Sequence, residues 1–269
     1  MTEPTTSPVT PAPLPAAVAG RLVGRVGLIS GAAGGIGSRA ARVFAAAGAT
    51  VGLLDRPGPA LDAVAADLGE RGVPLPVDVT DEQQVAAAFA AWSGRHPAAD
   101  FVYVCAGVQL HSDDGPAGEV SLETWNTTLA VNLTGAFLVV KHALPALRAA
   151  GSGSLILCGS PTGLTMCGGG CAAYAASKAG MMSLARTVAA DYAADGVRAN
   201  VIVPGTTRTP LIAELLDDPA RHAELLSGTP LARLGAPDDL DGIALFLASE
   251  ESRFATGATF CVDGGLTQR

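Results

Sequence analysis

Tyr174 and Lys178 stand four residues apart in Tyr174-Ala175-Ala176-Ser177-Lys178, near the start of an alanine-rich stretch of helical composition. At that spacing two side chains share one helix face and can reach one point. A free phenol ionises near pH ~10, and a neighbouring ammonium favours the phenolate, so the pair has the chemistry of a general acid/base working nearer neutrality. The same spacing also describes an ordinary contact on a helix surface. The pair gains meaning only from a second site that brings it something to act on.

That second site is a glycine turn. Ser30-Gly31-Ala32-Ala33-Gly34-Gly35-Ile36-Gly37 follows directly on a short apolar run and leads at once into an alanine-rich stretch ending at Ala47. Strand, turn and helix in that order let a pyrophosphate approach the free amides of a helix N-terminus, where the dipole favours negative charge. The second apolar run ends at Asp55, 18 residues beyond Gly37. A carboxylate there accepts hydrogen bonds from the adenosine ribose hydroxyls and repels a 2′-phosphate, which favours NAD over NADP. Arg56 argues the other way, since a guanidinium can hold that phosphate, but the turn has no basic residue to assist it.

An open sheet is needed to position these residues. Apolar runs at 25–30, 50–54, 73–77, 100–105, 154–159, 198–203 and 258–262 predict strands, most of them continuous as in strands covered on both faces. Between them the pattern predicts helices near 35–47, 58–69, 81–93, 121–149, 172–194 and 237–249, several opening at N-cap residues such as Asp81 and Ser121. The alternation predicts an α/β fold: a single Rossmann-like, doubly wound domain over residues 21–269, with a seven-stranded parallel sheet and helices on both faces. Residues 1–20 contain five prolines, one charged side chain and no apolar period, which predicts a disordered N-terminal tail. A secretory signal is not expected, because a basic start followed by an apolar stretch is missing.

Of the 269 residues, 49% are hydrophobic and 16% charged, enough apolar material for a large core. Lys+Arg number 17 against 25 Asp+Glu, a net charge of −8, so a nucleic-acid partner is not expected. The longest apolar run, 135–140, is stopped by Lys141, short of the ~18 residues of a membrane span, and no span is expected. The five cysteines, Cys105, Cys158, Cys167, Cys171 and Cys261, are odd in number, and four have apolar or glycine-rich neighbours. Buried, reduced thiols and a cytoplasmic setting are the expectation. Cys167 and Cys171 lack further ligands at metal-binding spacing, so no metal is expected.

Several more motifs agree in order. Val131-Asn132-Leu133-Thr134-Gly135, Ser160 after the fifth strand, Pro204-Gly205 with Thr209 four residues on, and Val262-Asp263-Gly264-Gly265 accompany the glycine turn and the Tyr-Lys pair. On these motifs the sequence resembles the short-chain dehydrogenase/reductase family over residues 21–267. The resemblance implies reversible hydride transfer between a nicotinamide ring and the carbinol carbon of a small alcohol or ketone. It implies Tyr174 as the acid/base and Ser160 as the hydrogen-bond partner of the substrate oxygen. Lys178 would hold the nicotinamide ribose and lower the Tyr174 pKa, and Asn132 would hold a water in a proton path. Cofactor contacts fall to Gly31, Gly35, Ile36, Gly37, Asp55, Lys178, Pro204, Gly205 and Thr209, with Asp78 and Val79 near the adenine and the Ala106 and Gly107 backbone beside the adenosine. Local readings stand beside these: Asp55 and Asp78 as strand-end residues, Asn132 as a cap where its helix bends, Thr209 as an N-cap before Pro210, Ser160 as a turn residue.

Two departures matter. Val104-Cys105-Ala106-Gly107 replaces the family's frequent Asn-Asn-Ala-Gly, and the segment from Ser160 to Tyr174 is one residue longer than the family pattern, with Gly168-Gly169-Gly170 in it. Rival readings are an NADPH-dependent ketoester reductase, which Asp55 disfavours, reduction of a carbon-carbon double bond, for which relatives usually place six residues between Tyr and Lys, and a dinucleotide-binding scaffold or sensor without turnover. Residues 206–230 form the insertion that usually covers the active site, with Leu211, Ile212, Leu215, Leu216, Leu225 and Leu226 as an apolar face. Gln109, His111, Ser112, Asp113 and Asp114 read as a solvated loop near the pocket mouth. The stretches near 121–149 and 172–194 are apolar around much of their circumference, which with the resemblance implies a homotetramer, a dimer being second choice.

Overall fold

All seven expected strands form, and the five central ones are covered on both faces while the two edge strands are partly exposed. In the computed structural model, which describes residues 18–165 and 170–268, they make one parallel sheet in the order β3-β2-β1-β4-β5-β6-β7. The strands are β1 Val26–Ser30, β2 Thr50–Asp55, β3 Gly72–Pro76, β4 Phe101–Val104, β5 Ser154–Cys158, β6 Arg198–Pro204 and β7 Thr259–Val262. Every residue of β4 and β5 is buried, which is why both read as unbroken apolar runs rather than alternating ones. The strand order reverses between β1 and β4, and a crevice opens at the carboxyl ends where the two halves part.

One face carries α1 Gly35–Ala46, α2 Pro59–Leu68 and α9 Asp241–Ala248; the other carries α3 Glu82–Ser93, α4 Leu122–Leu129, α5 Ala136–Ala149 and α6 Ala172–Asp191. The insertion after β6 holds α7 Ala213–Asp217 and α8 Pro219–Ser227. Asp81 and Ser121 cap their helices as expected, accepting from Gln83 N (2.9 Å) and Thr124 N (3.0 Å). The helix expected over 121–149 is continuous but passes through a π-helical turn at Ala130–Gly135, the kind of local widening that proteins often keep at functional sites. Joined in this way, Leu122–Ala149 is long and apolar enough to cross a membrane by length and composition, contrary to the expectation that no stretch is. Half of its apolar window is buried inside the fold, as in a core helix.

Val18, within the stretch expected to be a tail, is 7% exposed and packs into the core with Leu22. Among the described cysteines Cys158 is buried, Cys105 and Cys171 are partly exposed, and Cys261 is exposed on β7. Cys167 lies outside the described residues, and no cluster that could hold a metal occurs within them.

One buried ion pair ties the two ends of the chain together. Arg39 on α1 donates through Nε and Nη2 to both carboxylate oxygens of Asp241 at the start of α9, the shortest contact 2.5 Å, with both side chains 7% exposed. Removing one partner leaves an uncompensated charge in the core. Asp241→Ala is expected to destabilise the fold by about 3–5 kcal/mol in a denaturant titration, whereas a surface pair such as Arg221 with Glu224 should contribute under ~1 kcal/mol.

Candidate active site

α6 starts beside the carboxyl end of β5, and this placement brings the Tyr-Lys pair to the crevice. Lys178 is 4% exposed, and its ammonium donates to the carbonyl oxygen of Cys158, the last residue of β5, at 2.9 Å. Its Nζ lies 5.6 Å from the centroid of the Tyr174 ring one turn earlier. The Ser160 hydroxyl, two residues past Cys158, lines the same cleft as the phenol and accepts from Thr162 Oγ1 (3.0 Å) and Thr162 N (3.3 Å). Ser160 therefore fills the turn role and faces the reacting group as well.

Burial and charge pull the phenol in opposite directions, and burial wins. Desolvation raises the Tyr174 pKa above its ordinary value; the Lys178 ammonium lowers it, the Cys158 thiol adds to the rise and the nearby Ser160 hydroxyl opposes it. The expected displacement toward neutrality is thus corrected: the ammonium moderates a rise. At neutral pH the group is a phenol, able to donate a proton to a developing alkoxide.

Three side chains hold Tyr174 in place. Asp114, from the loop after β4, accepts from Gly115 N (2.9 Å) and Ala173 N (3.1 Å) with one oxygen and from Tyr174 N (2.9 Å) with the other. The residue before α6, Cys171, provides no side-chain cap, so this carboxylate satisfies the helix's opening amides and complements its dipole from 60 residues away. Asn132, fully buried in the π turn, accepts from Val108 N (2.7 Å) and donates to Val108 O (2.9 Å) and Ser177 Oγ (3.1 Å). Ser177 in turn donates to the Tyr174 carbonyl at 2.7 Å. Both amide protons of Asn132 are thereby spent on positioning the loop and α6.

The pair opens into a cleft of about 450 Å³. Its lining includes Ser160, Tyr174, Lys178, Ile36, Gly107, Pro204, Gly205 and Thr209, and the apolar Leu211, Ile212, Leu215 and Leu225 of the insertion. Leu216 and Leu226 are not among the lining residues. Gln109, His111 and Asp114 do line it, whereas Ser112 and Asp113 are exposed, so only part of that loop is the solvated segment expected. His111 Nε2 lies 3.0 Å from the Leu211 carbonyl and joins the loop to the insertion.

Beyond the cleft, the glycine turn fits a dinucleotide phosphate. Gly31 has φ of +70°, and a Cβ there would lie 2.6 Å from Ala106 N, so the turn after β1 rests directly on the backbone after β4. A Cβ on Gly35 would lie 2.7 Å from the Thr209 methyl, which makes Thr209 a wall of the turn; its side chain makes no cap hydrogen bond. The first amides of α1, at Gly35, Ile36 and Gly37, precede any intrahelical acceptor, and no acidic residue stands in that turn to repel an anion. Asp55 closes β2 with one oxygen on Ala33 N (2.8 Å) and the other on Arg56 N (2.7 Å), leaving lone pairs for ribose hydroxyls. Asp78 accepts from Thr80 N (2.9 Å) and Thr80 Oγ1 (2.7 Å), the turn-forming role, and Val79 is buried against Gly135.

A family model described as enoyl-(acyl carrier protein) reductase, of the short-chain dehydrogenase/reductases, matches residues 31–267. The chain belongs to the short-chain dehydrogenase/reductase family. It is 36% identical to a cis-4-hydroxycyclohexanecarboxylate dehydrogenase of Sinomonas cyclohexanicum over 90% of this chain and 96% of that one. It is 37% identical to an inactive 2-(S)-hydroxypropyl-CoM dehydrogenase 2 of Xanthobacter autotrophicus over 84% and 99%. The solved structure of a short-chain type dehydrogenase/reductase from Mycobacterium marinum superposes with a TM-score of 0.86 at 32% identity, over 92% and 97% of the two chains. As a short-chain dehydrogenase/reductase the protein is an oxidoreductase of the NAD(P)-using kind.

Asp114 and Ser177 escaped the sequence reading in their positioning roles. Ser177 had a local signal, lying three residues after Tyr174 where a hydroxyl can reach back to a helical carbonyl. Asp114 had none, because its partners are remote in sequence. Asp114→Ala is expected to lower kcat by about 10- to 100-fold while the dinucleotide Kd stays at the wild-type value, with Asp114→Asn partly restoring the rate. Steady-state kinetics with a dinucleotide fluorescence titration check it.

Proposed function

We propose that the protein is an NAD-dependent dehydrogenase that interconverts a small secondary alcohol and its ketone, in a reducing, cytoplasmic setting. The observation that carries this reading is the meeting of Tyr174, Ser160 and Lys178 at the floor of a cleft that continues toward the glycine turn. The nicotinamide, when bound, supplies the hydride chemistry. The protein's part is to bind, orient and move a proton. Ser160 donates to the substrate oxygen and shares its developing charge, and Tyr174 gives up or takes the proton at that same oxygen. Lys178, which donates to Cys158 O and reaches Met181 Sδ at 3.7 Å, retains a donor for the ribose hydroxyls and keeps the phenol from rising further. Asn132, by its bonds to Val108 and Ser177, acts as a positioning residue.

The name of the Sinomonas relative supports an alicyclic or similar secondary alcohol, and the apolar insertion side chains over the cleft suit such a body. The Tyr-x3-Lys spacing and Asp55 speak against double-bond and NADPH-dependent ketoester reduction. A scaffold without turnover finds a specific parallel in the inactive Xanthobacter relative, but Tyr174, Ser160 and Lys178 meeting at one cleft favour turnover. Exposed Leu122 and Phe137 on α4 and α5 support assembly as a homotetramer, which light scattering at micromolar concentration tests; a monomer would exclude it.

Tyr174→Phe is expected to reduce turnover of an alcohol panel with NAD by about 100- to 10,000-fold, with dinucleotide binding nearly intact. A rate within a few-fold of wild type on a genuine substrate would remove the acid/base assignment. Kinetics with both dinucleotides should give a preference for NAD, and Asp55→Ala should narrow it by about tenfold or more, the loss of hydrogen bonds to a charged group.

A further inference from the structure

Cys105, which stands where relatives often carry asparagine, has no part in the chemistry above, and neither does the thiol of Cys158. The two residues follow and continue the paired positions Val104↔Leu157, so they face each other across the carboxyl ends of β4 and β5. Neighbouring strands lie about 4.8 Å apart, inside the Cα separation of about 4.4–6.8 Å that a disulfide spans. Both thiols are free, both line the cleft, and Cys105 packs against the same buried apolar cluster that contains Cys158, so the two side chains leave their strands on one face of the sheet. Tyr103, fully buried two residues before Cys105, sets its hydroxyl against both sulfurs, where it meets no partner aligned for a hydrogen bond. A polar floor of this kind is costly in a core and fits a small polar reagent.

The two thiols differ in reactivity. The adjoining Cys105 thiol lowers the Cys158 thiol to about 7 against the opposing effect of burial, with Lys178 assisting, whereas burial raises Cys105 well above the ordinary range. The pair thus offers a thiolate beside a thiol, the arrangement in which one sulfur attacks and the other resolves what forms on it.

We propose that Cys105 and Cys158 are an oxidisable pair, a modification site in the floor of the cleft where a small peroxide drives disulfide formation and turnover stops. The Cys158 thiolate attacks one peroxide oxygen: an S–O bond forms, the O–O bond breaks, and hydroxide leaves and is protonated to water. Sulfur is oxidised by two electrons and the peroxide is reduced. The Cys105 sulfur then attacks Cys158: the S–S bond forms, the S–O bond breaks, and the departing hydroxide takes the Cys105 proton as a second water. Drawing the sulfurs to about 2.05 Å moves the end of β5, which carries the carbonyl that holds Lys178 and, two residues on, Ser160.

The test exposes reduced, dinucleotide-free enzyme to a small excess of hydrogen peroxide, alkylates the remaining thiols and maps the peptides by mass. The expected product joins the Cys105 and Cys158 peptides, lighter by two hydrogens than the reduced pair. Turnover should fall about 100-fold in step with it, the scale of loss when reacting groups are displaced by about 1 Å, and dithiothreitol should reverse both changes. In Cys105→Ser, Cys158 should instead stop at a sulfenic acid that dimedone traps. The proposal is overturned if Cys105 and Cys158 remain alkylated, if another pair such as Cys167 with Cys171 forms in their place, or if the cross-linked enzyme keeps its rate. The turnover arm rests on the oxidoreductase reading and the mass arm does not, so absence of any alcohol turnover leaves the cross-link measurable.

Discussion

A buried ammonium must find partners or lose its charge, and Lys178 finds one in the carbonyl at the end of β5. Much of the site follows from that hydrogen bond. It fixes where α6 docks on the sheet, and helix periodicity then sets Tyr174 one turn away on the same face. The chain leaving the same carbonyl reaches Ser160 two residues later, so one backbone atom locates all three groups. The parallel register carries this position across the sheet, since β4 and β5 end level and the glycine turn after β1 rests on the backbone following β4.

The site works against its own surroundings. Burial that excludes water from the cleft also raises the phenol, and without a cation nearby the group would be poorly suited to accept a proton from an alcohol. Precision comes from elsewhere: Asp114 on the first amides of α6, and the relay from Val108 through Asn132 and Ser177 to the Tyr174 carbonyl. The π turn that holds Asn132 interrupts the α4 to α5 path, which suits a residue whose side chain must serve the neighbouring loop rather than its own helix.

The sheet was legible in the sequence because strands covered on both faces leave unbroken apolar runs, and helix starts were legible where a local cap such as Asp81 makes them. Glycine turn, Tyr-Lys pair and Ser160 were legible as spacing. Contacts between distant segments were not: the Asp114 cap, the contact of Thr209 with Gly35, and the bond from His111 to Leu211 depend on tertiary proximity alone. The helices α7 and α8 were missed because they are short, five and nine residues, and α8 buries none of its side chains, although Asp218 caps it locally. Val18 packs with Leu22 although its neighbours in sequence have no apolar pattern to announce it.

The central claim is that one buried phenol exchanges the proton and that Lys178 sets when it can do so. The pH dependence of alcohol oxidation at saturating dinucleotide tests this most directly, compared between wild type and Lys178→Met. Oxidation needs the phenolate, so the wild-type rate should rise with pH to a plateau, and removing the ammonium should move that rise to higher pH as burial goes unopposed. A rate independent of pH, or a profile that keeps its midpoint in Lys178→Met, would contradict the account.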